Sequence, residues 1–241
     1  MNFRLIASLV AGLSLAISPV YAKKKPKLDE VAEAAPIAVT TVVDVNPAND
    51  PDNVLYLDLS SGGRVAVRLM PQWAPNHVER IKTLARQGFY DGLKFHRVID
   101  GFMAQTGDPT GTGSGGSQLP DLQAEFSSVP HMRGMLSMAR TNDPNSANSQ
   151  FFIVFYPRFA LDKKYTVFGR VISGMGIVDA IERGEPPANP TKILQASVAT
   201  DGKGPPPPPP PPVIVDDAAI SVTDLDNSVS DTVDLEAPVS D

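Results

Sequence analysis

The chain has 241 residues, 42% of them hydrophobic, and a formal net charge of -6, which allows one ordinary domain with extensions. The negative balance argues against nucleic acid as a main partner. The absence of cysteine excludes disulfides, thiolate metal sites, a cysteine nucleophile and a lipidated N-terminal cysteine, without identifying a redox compartment.

Residues 1–22 read as an export signal. Arg4 supplies a positive n-region, and Leu5 to Ile17 is apolar or small throughout, too short to span a bilayer comfortably. Val20-Tyr21-Ala22 presents small residues to a signal peptidase, with cleavage expected after Ala22. An uncleaved anchor is the alternative. Lys23, Lys24 and Lys25 follow the site, where positive charge slows export without forbidding it. The expectation is a periplasmic or secreted protein with no stable membrane insertion after cleavage.

Residues 23–50 mix Lys, Ala, Pro, Asp and Val without a sustained period and read as a linker, with one strand at Ala38–Val45. Residues 51–199 carry the patterned secondary structure of a domain. Val54–Leu59 alternates as a strand, and Ser60-Ser61-Gly62-Gly63 turns it into Arg64–Leu69. A helix follows, with Pro75 at its first position, Gly88 at its C-terminal cap, and Val78, Ile81, Leu84 and Ala85 on one face. Short strands are expected at Phe95–Ile99, Met103–Gly107, Gly134–Ala139, Phe151–Phe155, Thr166–Val171 and Ile193–Val198, with a second helix from Gly174 to Glu182. Eight short strands and two helices predict a mainly β protein, a closed antiparallel barrel that hides its edges and is capped by the helices.

Residues 200–212 form a Pro-rich spacer. Pro205–Pro212 is an unbroken proline run with no backbone donors, a polyproline II rod of about 25 Å at roughly 3.1 Å per residue. Residues 213–241 are an acidic tail with eight acidic residues, no Lys or Arg and no aromatic, a composition that favours disorder. The rest of the chain is left with 21 basic against 19 acidic residues.

Two stretches carry the chemistry. One runs from Tyr90 to Pro109 and contains Phe95-His96-Arg97 and Phe102-Met103-Ala104-Gln105-Thr106-Gly107-Asp108. The other contains Ser137-Met138-Ala139-Arg140 and Ser149-Gln150-Phe151-Phe152. Taken one by one, the Phe and Met residues read as core and Arg97 as a solvated side chain. Taken together, in order and with Ala74-Pro75-Asn76-His77 and Tyr165-Thr166-Val167-Phe168-Gly169, the blocks resemble the cyclophilins from Val54 to Val198, their bacterial members most.

The resemblance implies a peptidyl-prolyl cis/trans isomerase with no cofactor and no metal. It assigns Arg97 as the cationic donor to the imide nitrogen and Gln105 as a substrate-backbone partner that also aims Arg97. Phe102, Met103, Phe152 and Leu161 should form the proline pocket. Ala139 and Arg140 should align the peptide, and His96, Gln150 and Tyr165 should complete the groove. The implied partners are proline-containing unfolded or flexible polypeptides, and the implied role is to assist folding of exported proteins. Ala160 stands where the best-known eukaryotic pattern has Trp, and Tyr165 where it has His, so cyclosporin binding is expected to be weak at best. The rival reading is a proline-peptide binding module whose groove captures a partner and whose turnover is incidental. A third places the function in the Pro-rich and acidic extensions.

The other candidates are weaker. His77, His96 and His131 lack a second metal ligand at suitable spacing, and His77 reads as a helix-surface residue. Gly111–Gly116 lacks the Lys-Ser/Thr of a phosphate loop and reads as a solvated loop. Trp73 is expected at the start of the first helix, outside the groove. Ser149 has no base partner in sequence.

Overall fold

A computed structural model of the chain describes residues 42–207. The expected export signal, the linker up to residue 41, the end of the proline run and the acidic tail lie outside the described residues.

One antiparallel sheet of eight strands forms the body, in the order β3-β4-β6-β5-β7-β2-β1-β8. The strands are β1 (Val54–Leu59), β2 (Gly63–Leu69), β3 (Arg97–Ile99), β4 (Met103–Thr106), β5 (Met135–Met138), β6 (Phe151–Val154), β7 (Val167–Ser173) and β8 (Ile193–Val198). Two helices complete it, α1 (Pro75–Arg86) and α2 (Met175–Asp179). Both lie where sequence periodicity put them, with α2 shorter at its C-terminal end.

The sheet curls as a half-barrel, and the expected closed ladder is not what joins its edges. β3 and β8 are the terminal strands. Just ahead of both, Lys94 and Lys192 form one bridge, Phe95 N–H donates to the Thr191 carbonyl at 2.8 Å and Ile193 N–H to that of Leu93 at 2.8 Å. One residue later His96 N–H donates to the Gln105 carbonyl instead. The chain changes partner between Phe95 and His96, which is why the strand expected at Phe95–Ile99 begins only at Arg97.

Period-two alternation sets what is inside. In β1, Leu55, Leu57 and Leu59 enter the core with Val65, Val67 and Leu69 of β2. On the other face Arg64 bonds Asp58 at 2.8 Å and lies 4.5 Å over the Tyr56 ring. α1 packs Val78, Ile81, Leu84 and Ala85 into the same core. It ends as its sequence predicts. Gly88 adopts φ 70°, and Phe89 N–H reaches back to the Leu84 carbonyl at 3.0 Å, which satisfies a terminal acceptor.

The start of α1 differs from expectation. Ala74 offers no side-chain cap, so the Glu125 carboxylate supplies one, accepting from the N–H groups of Asn76 and His77 at 3.1 and 3.2 Å. The same carboxylate meets His77 Nδ1 at 2.6 Å. His77 is therefore fully buried, not a surface residue. Burial holds its pKa below the ordinary histidine value although Glu125 opposes the shift.

The flanks of the domain are tied to it. Arg68, itself buried, donates to the backbone carbonyls of Asp44, Asn46 and Asp50, and these bonds hold segment 44–50 against β2. Val42–Val45 forms no strand, and the rest of the strand expected at Ala38–Val45 lies outside the described residues. Past β8, the carbonyls of Lys203 and Gly204 accept from Arg64 and Gln195.

Candidate active site

The two motif stretches meet through strand register. Arg97 in β3 stands opposite Gln105 in β4, Gln105 opposite Phe152 in β6, and Phe152 opposite Ser137 in β5. Directly opposed residues share a face of the sheet. Arg97, Gln105, Phe152 and Ser137 therefore form one row across four strands. The neighbouring row, Val98, Ala104, Ile153 and Leu136, points the other way into the core and is fully buried.

The row of Arg97 floors a groove of about 780 Å³. Its apolar part is made by Phe102, Met103, Phe152, Leu161 and Tyr165. Its polar part is made by His96, Arg97 and Gln105, with Ala139 and Arg140 along one side. Ten of the eleven residues singled out in the sequence thus line one groove. The eleventh, Gln150, sits in an adjoining cavity of about 460 Å³ that shares Gln105, Ala139 and Arg140 with the first.

Phe152 is 5% exposed and its ring is fixed on three sides. Phe102 lies 6.4 Å away, Tyr165 meets it edge-on at 6.0 Å, and the His131 imidazole stacks on it at 6.4 Å. His131 is held in turn by Asp162 Oδ1 at 2.8 Å and by Ser137 Oγ at 3.1 Å. Phe102 is half-buried, with the Arg158 guanidinium 5.0 Å over its face. Arg140 lies 4.5 Å over the Tyr165 ring, and its guanidinium donates to the carbonyls of Lys164 and Thr141. The backbone N–H and carbonyl of Arg140 have no partner among the described residues.

The side chains of Arg97 and Gln105 are adjacent but do not bond each other. Gln105 Nε2 donates to Gln150 Oε1 at 2.8 Å. Arg97 Nε donates to Glu185 Oε2 at 2.7 Å. The expectation that Gln105 aims Arg97 gives way to a different partner, because the neighbouring Gln150 amide accepts from Gln105 while Glu185 reaches Arg97 from the edge of β3 away from β4. Glu185 and Pro186, joined by a cis peptide, line the groove and carried no signal in the sequence. His96 is buried with neither ring nitrogen bonded among the described residues, and burial lowers its pKa.

The glycine-rich loop is also part of the wall rather than a detached solvated loop, since Gly111, Thr112 and Gly113 border the groove. Asp108, 1% exposed, organises it. Its carboxylate accepts from the N–H groups of Thr110, Thr112 and Gly113 and from the Thr110 hydroxyl. Burial works against the Asp108 charge, yet the donors from Thr110, Gly115 and Gly113 hold its carboxyl well below the usual range. Gln150 closes the arrangement by donating to the carbonyls of Gly113 and Gly115. Ser149 is buried and donates to the Gly107 carbonyl at 2.7 Å, a structural bond.

An eight-stranded antiparallel sheet with an arginine beside an apolar slot defines a class of protein, and comparison with known proteins gives the family. Residues 54–198 match the model of the cyclophilin type peptidyl-prolyl cis-trans isomerases. A probable peptidyl-prolyl cis-trans isomerase of Brucella suis is 46% identical over 190 residues, covering 72% of this chain and 96% of the relative. The Schizosaccharomyces pombe isomerase ppi1 is 40% identical over 146 residues, covering 57% of this chain and 94% of the relative. The crystal structure of cyclophilin AquaCyp293 from Hirschia baltica superposes with a TM-score of 0.59 at 33% identity, covering 63% of this chain and 76% of that one. A Cryptosporidium parvum cyclophilin type isomerase, solved in the presence of the dipeptide Ala-Pro, gives 0.57 at 28% identity, covering 60% and 98%. The chain belongs to the cyclophilin-type peptidyl-prolyl cis-trans isomerases.

Proposed function

We propose that this isomerase turns Xaa-Pro bonds of flexible polypeptides outside the cytoplasm, with Arg97 as the group that favours the twisted bond. The prolyl amide resists rotation because its nitrogen lone pair is delocalised into the carbonyl, with a barrier of about 18–20 kcal/mol. No covalent bond need break. In the twisted state the nitrogen regains its lone pair and becomes an acceptor. A fixed cationic donor binds that state better than either planar one, which is the condition for acceleration.

In this reading the proline ring enters the slot between Phe102, Met103, Phe152 and Leu161. The ring displaces water beside Arg97 and thereby strengthens the guanidinium's contact. Gln105 and the free backbone groups of Arg140 hold the peptide extended along the groove. The observation that carries the proposal is the placing of Arg97 and the apolar slot in one groove by a single cross-strand register. The Ala-Pro dipeptide used with the Cryptosporidium relative fits the same substrate class. The export role, assistance to the folding of exported proteins, rests on the signal-like residues 1–22.

The test is a prolyl isomerisation assay on the full chain beside Arg97→Ala, with fractionation of the producing cells. Turnover that falls with Arg97 supports the mechanism. Proline-peptide binding without turnover supports a binding module instead. Isomerase found only in the cytoplasmic fraction defeats the export role and leaves the chemistry standing.

A further inference from the structure

The mechanism asks more of Arg97 than charge. An arginine on a short edge strand has several rotatable bonds and loses much freedom when it is held. A guanidinium that roams the groove mouth cannot be preorganised. The side chain of Gln105, its cross-strand neighbour, is engaged with Gln150 and gives the guanidinium no bond. Among the described residues the Arg97 side chain has one hydrogen-bond partner, Glu185.

We propose that Glu185 is the positioning residue for Arg97, an inference that rests on the isomerase mechanism proposed for the groove. Glu185 Oε2 takes the Nε–H at 2.7 Å. That contact fixes the guanidinium from its inner end and leaves both terminal amino groups for the substrate. A carboxylate placed to block the site would pair with the terminal amino groups instead, in the forked geometry that arginine offers.

The loop that carries Glu185 is braced for this task. Gly184 and Val98 exchange backbone bonds, N–H to carbonyl in both directions at 2.8 Å. Val98 follows Arg97 directly, so this bridge sets Glu185 in register with Arg97. Gly184 adopts φ 147°, and a Cβ there would come within 2.6 Å of Pro187 Cα, so the bend that aims Glu185 requires glycine. Glu182 anchors the far side, its N–H donating to Thr191 Oγ1 and its carboxylate accepting from the Asn189 N–H. Pro187 is buried beneath. An exposed ion pair of this kind does little for stability. Its effect falls on the geometry of the donor.

The test compares the full-length chain with Glu185→Ala and Glu185→Gln, and with Arg97→Ala as reference. Steady-state kinetics on a proline peptide should show kcat reduced about ten-fold in Glu185→Ala, with KM changed by less than about two-fold. Glu185→Gln keeps an acceptor for Nε–H and should recover most of that loss. NMR of the Arg97 Nε–H gives a readout independent of turnover: protected from exchange in the wild type and in Glu185→Gln, unprotected in Glu185→Ala. An Nε–H that stays protected in Glu185→Ala overturns the proposal whatever the rates. So does an unchanged kcat, and so does a lowered KM, which would make Glu185 a competitor of substrate. A wild-type chain without turnover, or Arg97→Ala as active as wild type, defeats the mechanism itself. A crippled Arg97→Ala beside an unaffected Glu185→Ala defeats the positioning role alone.

Discussion

Replacing Arg97 by Ala separates catalysis from folding, and the structure sets the size of both effects. Arg97 is 44% exposed at its side chain, and Glu185, its one ionic partner among the described residues, is 50% exposed. An ion pair this open contributes at most about 1 kcal/mol to stability, so the unfolding free energy should change little. The catalytic effect should be far larger. Removing one preorganised donor from a site where charge develops costs about 2.7–4 kcal/mol, or roughly 10²–10³ in kcat. The groove is open to water on one side, which places the expected loss toward the hundred-fold end. Arg97→Lys keeps the charge but has no Nε to give Glu185 while its terminal donors face substrate, so it should fall between Ala and wild type. Exchange of an Xaa-Pro peptide between its cis and trans forms, followed by NMR with catalytic enzyme, measures the rates, and urea melts measure stability. Turnover within about three-fold of wild type in Arg97→Ala would refute the assignment, as that residual loss is only about 0.7 kcal/mol.

Phe152→Ala should cost about 3–5 kcal/mol in urea melts and abolish peptide binding, because the ring is almost wholly buried, whereas the half-buried Phe102 should cost less stability for a similar loss of affinity; equal stability losses would contradict the packing. All three histidines are buried with their pKa values held below the ordinary one, chiefly by burial, so the unfolded chain binds more protons than the fold in the range below pH 6.5. Stability should therefore fall as pH is lowered from 7 to 5, each histidine adding up to about 1.4 kcal/mol per pH unit, and urea melts that stay flat across this range would show that the imidazoles protonate freely in place. Trp73 is 4% exposed and does not border the groove, so saturating proline peptide should leave its emission unchanged, and a large saturable change would place the site elsewhere.

The strands and helices of the domain were legible because each depends on local pattern: Leu55, Leu57 and Leu59 alternate, and Val78, Ile81 and Leu84 recur at helical spacing. The groove residues were legible only through family resemblance. Phe152 and Phe151 are the same amino acid to any composition rule, and cross-strand register alone sends one to the groove and the other to the core. Three features escaped for a physical reason. His77 is buried because Glu125, 48 residues later in the chain, caps α1. The strand at Phe95–Ile99 starts late because the chain swaps partners at His96. Glu185 enters the groove through a bridge between Gly184 and Val98 that no short-range pattern announces. Each is a long-range pairing, invisible until the sheet is assembled.

The two rows of side chains explain how one short sheet can be both a core and a catalyst. Val98, Ala104, Ile153 and Leu136 carry the packing, and Arg97, Gln105 and Phe152, one residue away along each strand, carry the groove. A slip of one residue would exchange the rows on the strand that slips, burying Arg97 without a partner if it were β3 and exposing Ile153 to water if it were β6. The unpaired buried charge alone would be prohibitive, so the register that folds the protein is the register that builds the site. Phe152 is where the two demands overlap. It faces the groove, yet His131, anchored by Asp162 and by Ser137 at the end of the same row, packs against it from behind. This wall of the groove is therefore packed like the core. Arg97 sits beside it on a terminal strand, where Glu185 is the one hydrogen-bond partner of its side chain among the described residues.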